Sequence, residues 1–191
     1  MRERLRLATS DDAAQIAAIY APFVAATHVS FEEVPPTADE MRARLSRAAG
    51  TWPWVVCERD GNIAGYAYAS AHRTRPAYRY SVDVSAYVHE AHRGTGVGRR
   101  AYGALLRLLQ AQGYRNAFAG VTLPNDASVA LHRALGFVQI GRYRNVGFKA
   151  GAWHDTMWLQ RPLGTYPSPP PEPQPLRALA ADVVAAALAM P

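Results

Sequence analysis

A mixed α/β fold of the α+β kind is what the order of predicted elements indicates. Several short strands come first, a strand–helix–strand–helix unit follows, and more strands close the domain. Two further observations support that reading. The chain has 191 residues, within the about 100–200 that usually build one core. Hydrophobic residues make up 49% and aromatic residues 10%, spread along most of the length, which excludes disorder throughout. A doubly wound parallel sheet is not indicated, because only the middle unit has the strand–helix–strand pattern.

The elements follow from local pattern. Leu5 to Ala8 reads as a short strand. Ser10-Asp-Asp opens a helix whose Ile16, Ile19, Tyr20, Phe23 and Val24 share one face. Thr37-Ala-Asp-Glu40 has capping-box spacing and starts a second helix toward Ala49. Trp54 to Glu58 and Ile63 to Ser70 form a hairpin with Asp60-Gly61 as its turn. Val82 to Val88 is a strand, and Gly96 to Gln112 a helix ended by Gly113. Asn116 to Thr122 is a strand, and Asn125 to Leu135 a helix ended by Gly136. Phe137 to Val146 and Trp153 to Leu159 complete the strands.

Seven of the 14 prolines fall between Pro162 and Pro175, so the folded domain is expected over 1–162 and an extended linker over 163–175. The Ala-rich segment 176–191 is expected either to dock as a helix of about four turns or to fray. The net charge of +6 favours anionic partners, but the arginines are scattered and no recognition motif for nucleic acid is present. Cys57 is the lone cysteine, so no internal disulfide forms and a reducing compartment is the simple expectation. The N-terminus is too charged for a signal peptide and no apolar run approaches membrane-spanning length, so a cytoplasmic protein without membrane contact is expected.

The most informative segment is Tyr87-Val-His-Glu-Ala-His-Arg93-Gly94-Thr95-Gly96-Val97-Gly98-Arg99-Arg100, where a strand runs through three alternating glycines into an amphipathic helix. First-turn amides of a helix lack internal partners and the helix dipole favours negative charge there, so this turn is a ready pyrophosphate cradle. The plain alternative is a tight strand-to-helix turn. The P-loop pattern is absent, and the third glycine comes one residue early for a dinucleotide fingerprint.

What remains, Arg-x-x-Gly-x-Gly on Arg93, Gly96 and Gly98, resembles the acetyl-CoA-binding motif of the GNAT N-acetyltransferases. Leu123-Pro-Asn125 through Leu131-His132-Arg-Ala-Leu-Gly-Phe137 resembles the family's asparagine-initiated helix. Ala77-Tyr78 and Gly147 to Asp155 narrow the likeness to the phosphinothricin N-acetyltransferase branch, over about residues 4–162. The resemblance implies a mainly antiparallel sheet flanked by helices, acetyl-CoA as co-substrate with no metal, and a homodimer. It also implies acetylation of the free amine of a small amino acid or analogue of the phosphinothricin, methionine sulfone or methionine sulfoximine type.

It further implies roles for particular residues. Gly94, Thr95, Gly96, Val97, Gly98 and Arg99 would cradle the pyrophosphate. Pantetheine would lie along Ala86, Tyr87 and Val88, with an amide near Val88 as oxyanion donor, and Asn125 would hold the cofactor arm. Asp83, on a strand of apolar and small residues, is the candidate base, its pKa raised by desolvation. The branch normally has Glu there, one methylene longer, so a water relay is expected; the plain alternative is a carboxylate paired with a nearby Arg. His132 takes the place of the acid that protonates the departing thiolate, against the alternative of a core histidine. Arg75 is chosen to grip a substrate carboxylate, with Tyr78 beside it, and Phe31 as pocket wall or ordinary core. Cys57 is read as a buried structural thiol, and His89 with His92 as no metal site. Two other functions stay open: the same fold acting on another amine, such as a protein N-terminus or an aminoglycoside-like compound, and a non-catalytic CoA-binding or nucleic-acid-binding module.

Overall fold

The computed structural model describes residues 2–189, so the last two residues of the predicted terminal segment lie outside the described residues. Seven strands form one sheet in the order β1-β2-β3-β4-β5-β7-β6. They are β1 (Glu3–Leu7), β2 (Trp54–Arg59), β3 (Asn62–Ala71), β4 (Ser81–Val88), β5 (Asn116–Thr122), β6 (Val138–Lys149) and β7 (Ala152–Pro162). Every neighbouring pair is antiparallel except β4–β5, which the crossover helix α3 (Val97–Ala111) makes parallel. The helices α1 (Ala13–Ala26) and α2 (Ala38–Ala48) cover one face. On the other face lies α3, and α4 (Asp126–Ala134) follows β5.

Two cores sit on the two faces. Beneath α3 the packing is aliphatic, with Val55, Val82, Val84, Leu105, Leu109 and Leu159 buried. Beneath α1 and α2 it is aromatic: Trp54 stacks on Tyr68 at 4.2 Å, and Tyr20 meets Tyr87 edge-on at 4.8 Å. Residues alternate along β4, so Val82 and Val84 enter the first core while Asp83, Ser85 and Tyr87 point to the second.

The Thr37 capping box forms, with Thr37 Oγ1 accepting from Glu40 N at 3.2 Å. Asp60 and Gly61 both take positive φ in the β2–β3 turn. Elsewhere the structure departs from the expectations. Ser10–Asp12 is a 3-10 turn rather than the start of α1, because Asp12 turns back to accept from Thr9 N and Arg6. The last two strands are longer than expected and joined at Ala150-Gly151, both at positive φ. Almost all of β6 is exposed, so it carries no burial period to announce it.

The proline-rich stretch is fastened to the domain rather than loose: Glu172 pairs with Arg79, Gln174 N donates to Gln112 O at 2.8 Å, and Leu176 N to Thr51 O at 3.2 Å. The terminal helix α5 (Ala181–Leu188) has two turns, not four, and docks on α3 through Arg107, whose Nε donates to Ala187 O at 2.9 Å.

Candidate active site

The β4–β5 pairing lasts for only three register positions, Ser81–Asn116, Val82–Ala117 and Asp83–Phe118. Beyond them β4 continues to Val88 and β5 to Thr122, so the two strands part into a wedge with Asp83 at its apex. At its wide end lie the glycine turn, which follows β4, and Asn125, which follows β5. Ala86, Tyr87 and Val88 line the β4 arm, where ladder groups on the wedge side are free of strand pairing among the described residues.

Gly94 and Gly96 take φ of 73° and 83°, the left-handed region that side chains avoid. Gly96 caps α3, whose first backward bond runs from Arg100 N to Gly96 O at 3.0 Å, leaving the amides of Val97, Gly98 and Arg99 ahead of it. A Cβ on Gly98 would stand 3.1 Å from Val88 and 3.5 Å from Leu131, so glycine is what lets α3, β4 and α4 meet closely. The arrangement fits the pyrophosphate of CoA: amides at a helix N-terminus that have no backbone partner among the described residues, glycines at 94, 96 and 98 that add no side chain of their own, and exposed Arg99 beside them.

The arginines divide in a way their spacing does not reveal. Arg93 lies over the Phe23 ring at 5.2 Å. Arg100 is tied to Glu3 and to Thr95 O, and the buried Arg59 pairs with the same Glu3 and donates to Thr95 Oγ1 at 3.0 Å. These two guanidiniums brace the glycine turn from below, and Glu3 neutralises part of their charge. Arg100 is thus a strut rather than a free positive charge beside Arg99. Asn125 Oδ1 accepts from Ser128 N at 3.2 Å as the α4 cap, which leaves its amide hydrogens for a ligand.

Asp83 is half-buried, and burial pushes its carboxyl above the usual range against the lowering effect of a hydrogen bond from His72 and the charge of Arg73. His72 Nδ1 lies 2.6 Å from Asp83 Oδ1, and Tyr78 meets the His72 ring edge-on at 5.9 Å. Tyr68, on the neighbouring strand and the register partner of Ser85, has its hydroxyl raised chiefly by burial and further by the Asp83 charge. Arg75 is exposed; with Arg73, Tyr78 and the tail residue Glu172 it lines a surface cavity of about 230 Å³. The arginine whose charge reaches Asp83 is Arg73, which stands over Trp158 at 5.7 Å.

His132 stands in different surroundings. Its ring is buried against Tyr102 and Phe137, Nδ1 is 2.7 Å from Ser128 O, and Nε2 is 3.0 Å from the Tyr102 hydroxyl. Burial lowers its pKa, so the neutral ring donates from Nδ1 and accepts at Nε2 from Tyr102. Tyr102 is fully buried, with its hydroxyl raised by burial and, behind that, by the charges of Tyr68 and Asp83. Phe31 packs on Gly147 of β6, so closely that a Cβ there would collide with its ring. Its loop is held by Lys149 Nζ, which donates to the carbonyls of Val24, Ser30 and Glu32, and by His28 stacked on His154 at 4.6 Å. Cys57 is buried in β2, its thiol pushed up to about 11 by burial.

Sequence reasoning missed His72, Tyr102, Arg59 and Glu3. Only His72 left a trace, two residues beyond the predicted hairpin's second strand, which ends at Ser70, and on the side-chain period of Ser70.

The chain resembles known proteins over most of its length. A family model described as an acetyltransferase (GNAT) domain matches residues 5–158. A phosphinothricin N-acetyltransferase of Alcaligenes faecalis is 44% identical over 171 residues, 88% of this chain and 86% of that protein. An L-methionine sulfoximine/L-methionine sulfone acetyltransferase of Salmonella typhimurium is 32% identical, covering 86% of this chain and 97% of its own. The solved structure of a phosphinothricin acetyltransferase from Sinorhizobium meliloti in complex with AcCoA superposes with a TM-score of 0.83 at 39% identity, covering 91% and 94% of the two chains.

Proposed function

The chain belongs to the GNAT acetyltransferase family, and from that premise we propose that it acetylates the free amine of a small amino acid or analogue of the phosphinothricin, methionine sulfone or methionine sulfoximine type. Acetyl-CoA supplies the activated acetyl thioester. The observation that supports this reading is the position of Asp83 at the apex of the β4–β5 wedge, opposite the glycine turn.

That geometry supports the following roles. Amides of Gly94 to Arg99 hold the pyrophosphate, Asn125 donates to the cofactor arm, and an amide near Val88 donates to the carbonyl oxygen as charge builds on it. Asp83 takes the proton from the ammonium, directly or through a water, so that the amine attacks as a neutral nucleophile. His132 is the acid and works through Tyr102: the phenol O–H bond breaks as an S–H bond forms on the departing thiolate, and the Nε2 proton of the imidazolium passes to the phenolate oxygen, which leaves the phenol restored and the imidazole neutral. Arg75, Tyr78 and Phe31 are assigned to the amino-acid substrate, with Arg73 as a second cation near its carboxylate.

Thiol release from acetyl-CoA with methionine sulfone, methionine sulfoximine and phosphinothricin tests the reading. Turnover with at least one is expected; CoA binding without turnover on any of them would overturn it.

A homodimer belongs to the same proposal. Edge strand β6 and the adjoining Trp153 expose Val138, Ile140, Tyr143, Phe148 and Trp153, an apolar surface that a second copy would cover. A monomer's mass in light scattering would remove it. Among the described residues no helix is long and apolar enough to cross a membrane, and the single thiol suits a reducing compartment, so we place the enzyme in the cytoplasm; its recovery from another fraction would exclude that.

A further inference from the structure

His72 follows β3 directly, and the register that pairs Ser70 with Asp83 and Ala71 with Val82 brings its ring beside the carboxylate. The ring is clamped on three sides. It lies flat on Phe118, the register partner of Asp83, at 4.3 Å and 17°, and meets Tyr78 and Trp158 edge-on at 5.9 and 6.3 Å. Its side chain is 11% exposed against 32% for Asp83, so the histidine is the enclosed member of the pair and the carboxylate the open one.

We propose that His72 is the positioning residue of the base: its Nδ1–H holds Oδ1 of Asp83, leaving Oδ2 as the oxygen that accepts the proton of the amine. The inference rests on the reading of Asp83 as the base. In the step, an N–H bond of the substrate ammonium breaks and an O–H bond forms at Oδ2, directly or through one water. His72 keeps its Nδ1 proton throughout, and Asp83 returns the acquired proton to solvent. An aspartate fixed by one charge-assisted hydrogen bond loses the rotation that would misdirect its second oxygen. Among the described residues His72 is the sole hydrogen-bond partner of this carboxylate. The other groups near the pair are Arg73, whose charge favours the ionised carboxylate, the Tyr78 ring, Tyr68, and across the sheet Tyr102; the last two hydroxyls are raised chiefly by burial and further by the Asp83 charge.

Two substitutions separate positioning from packing. His72→Phe keeps the stack on Phe118 and removes the donor; His72→Asn loses the ring but keeps an N–H near the Nδ1 position. Two readouts are taken, the carboxyl titration of Asp83 by carbon-13 NMR in the free enzyme and the pH profile of kcat/KM for methionine sulfone. His72→Phe should lower kcat about tenfold, leave the KM for acetyl-CoA unchanged, and move the Asp83 titration and the acid limb upward. His72→Asn should hold both near the parent. The inference is overturned if His72→Phe moves neither titration nor limb, or if both variants lose rate equally with the titration unmoved. Asp83→Asn distinguishes the underlying reading: parental turnover there would remove Asp83 as base, whereas the NMR titration reports on His72 without any turnover.

Discussion

Asp83 and His132 make an instructive pair, because burial acts on both and pushes them in opposite directions. Asp83 stands on the aromatic face of the sheet, half-open at the point where β4 and β5 part, with its carboxyl raised. His132 stands on the aliphatic side, enclosed by Tyr102, Phe137 and the α4 backbone, with its imidazole lowered. Desolvation disfavours charge in each, so the carboxyl gains basicity and the imidazole loses it. For proton abstraction the first shift is useful. For proton donation the second is adverse, and in the proposed mechanism it falls to Tyr102 to carry the proton out of the enclosure.

The sharpest way to break the comparison is Asp83→Asn. Turnover should fall by about 10²–10⁴ with CoA affinity kept, checked by thiol release and calorimetry. The same variant should melt higher. The native carboxyl pKa lies above its unfolded value, so the folded state binds more protons between the two, and above that window the buried charge opposes folding. A lower melting temperature at neutral pH would show that the carboxylate stabilises its surroundings instead.

Tyr102→Phe tests the other side. It leaves Nε2 of buried His132 without its donor, which should cost about 1–3 kcal/mol in denaturant unfolding. Turnover should fall as well, because in the proposed relay the phenol hydrogen is the one delivered to sulfur. A variant that loses stability and keeps its full kcat would leave the Tyr102–His132 pair a packing device.

A smaller effect sharpens the contrast through pH. If protonated His132 is the acid, kcat should decline as pH rises through a value below 6.5, while ionisation of Asp83 sets the acid limb. An optimum well above neutrality would exclude His132⁺ as the donor. The linkage to stability has a definite sign. The unfolded histidine binds protons more readily than the native one, so its contribution is complete above about 6.5 and is lost as pH falls toward the lowered native value. His132→Gln should flatten that part of the stability profile.

Much of this was legible one residue at a time. The glycine alternation, the Thr37 box and the Asp60-Gly61 turn are local devices whose physics is written into neighbouring residues, and each occurs where expected. The exposed β6 strand runs to Lys149, past its expected end at Val146, since backbone pairing with β7 fixes its length and leaves no side-chain period. The two-turn α5 is shorter than its composition suggests, as only the part that meets α3 is held.

The amino-acid order alone determined the glycine turn at residues 94–99 and the strand position of the candidate carboxylate, because helix termini and strand alternation are short-range consequences of chain geometry. Only tertiary structure decided which charges remain free and which side chains meet. Arg100 is bound to Glu3, 97 positions away, and Arg59 joins them. His72 reaches Asp83 through strand register, and Tyr102 reaches His132 through helix packing. Such contacts depend on how distant segments are brought together, and no local pattern encodes that.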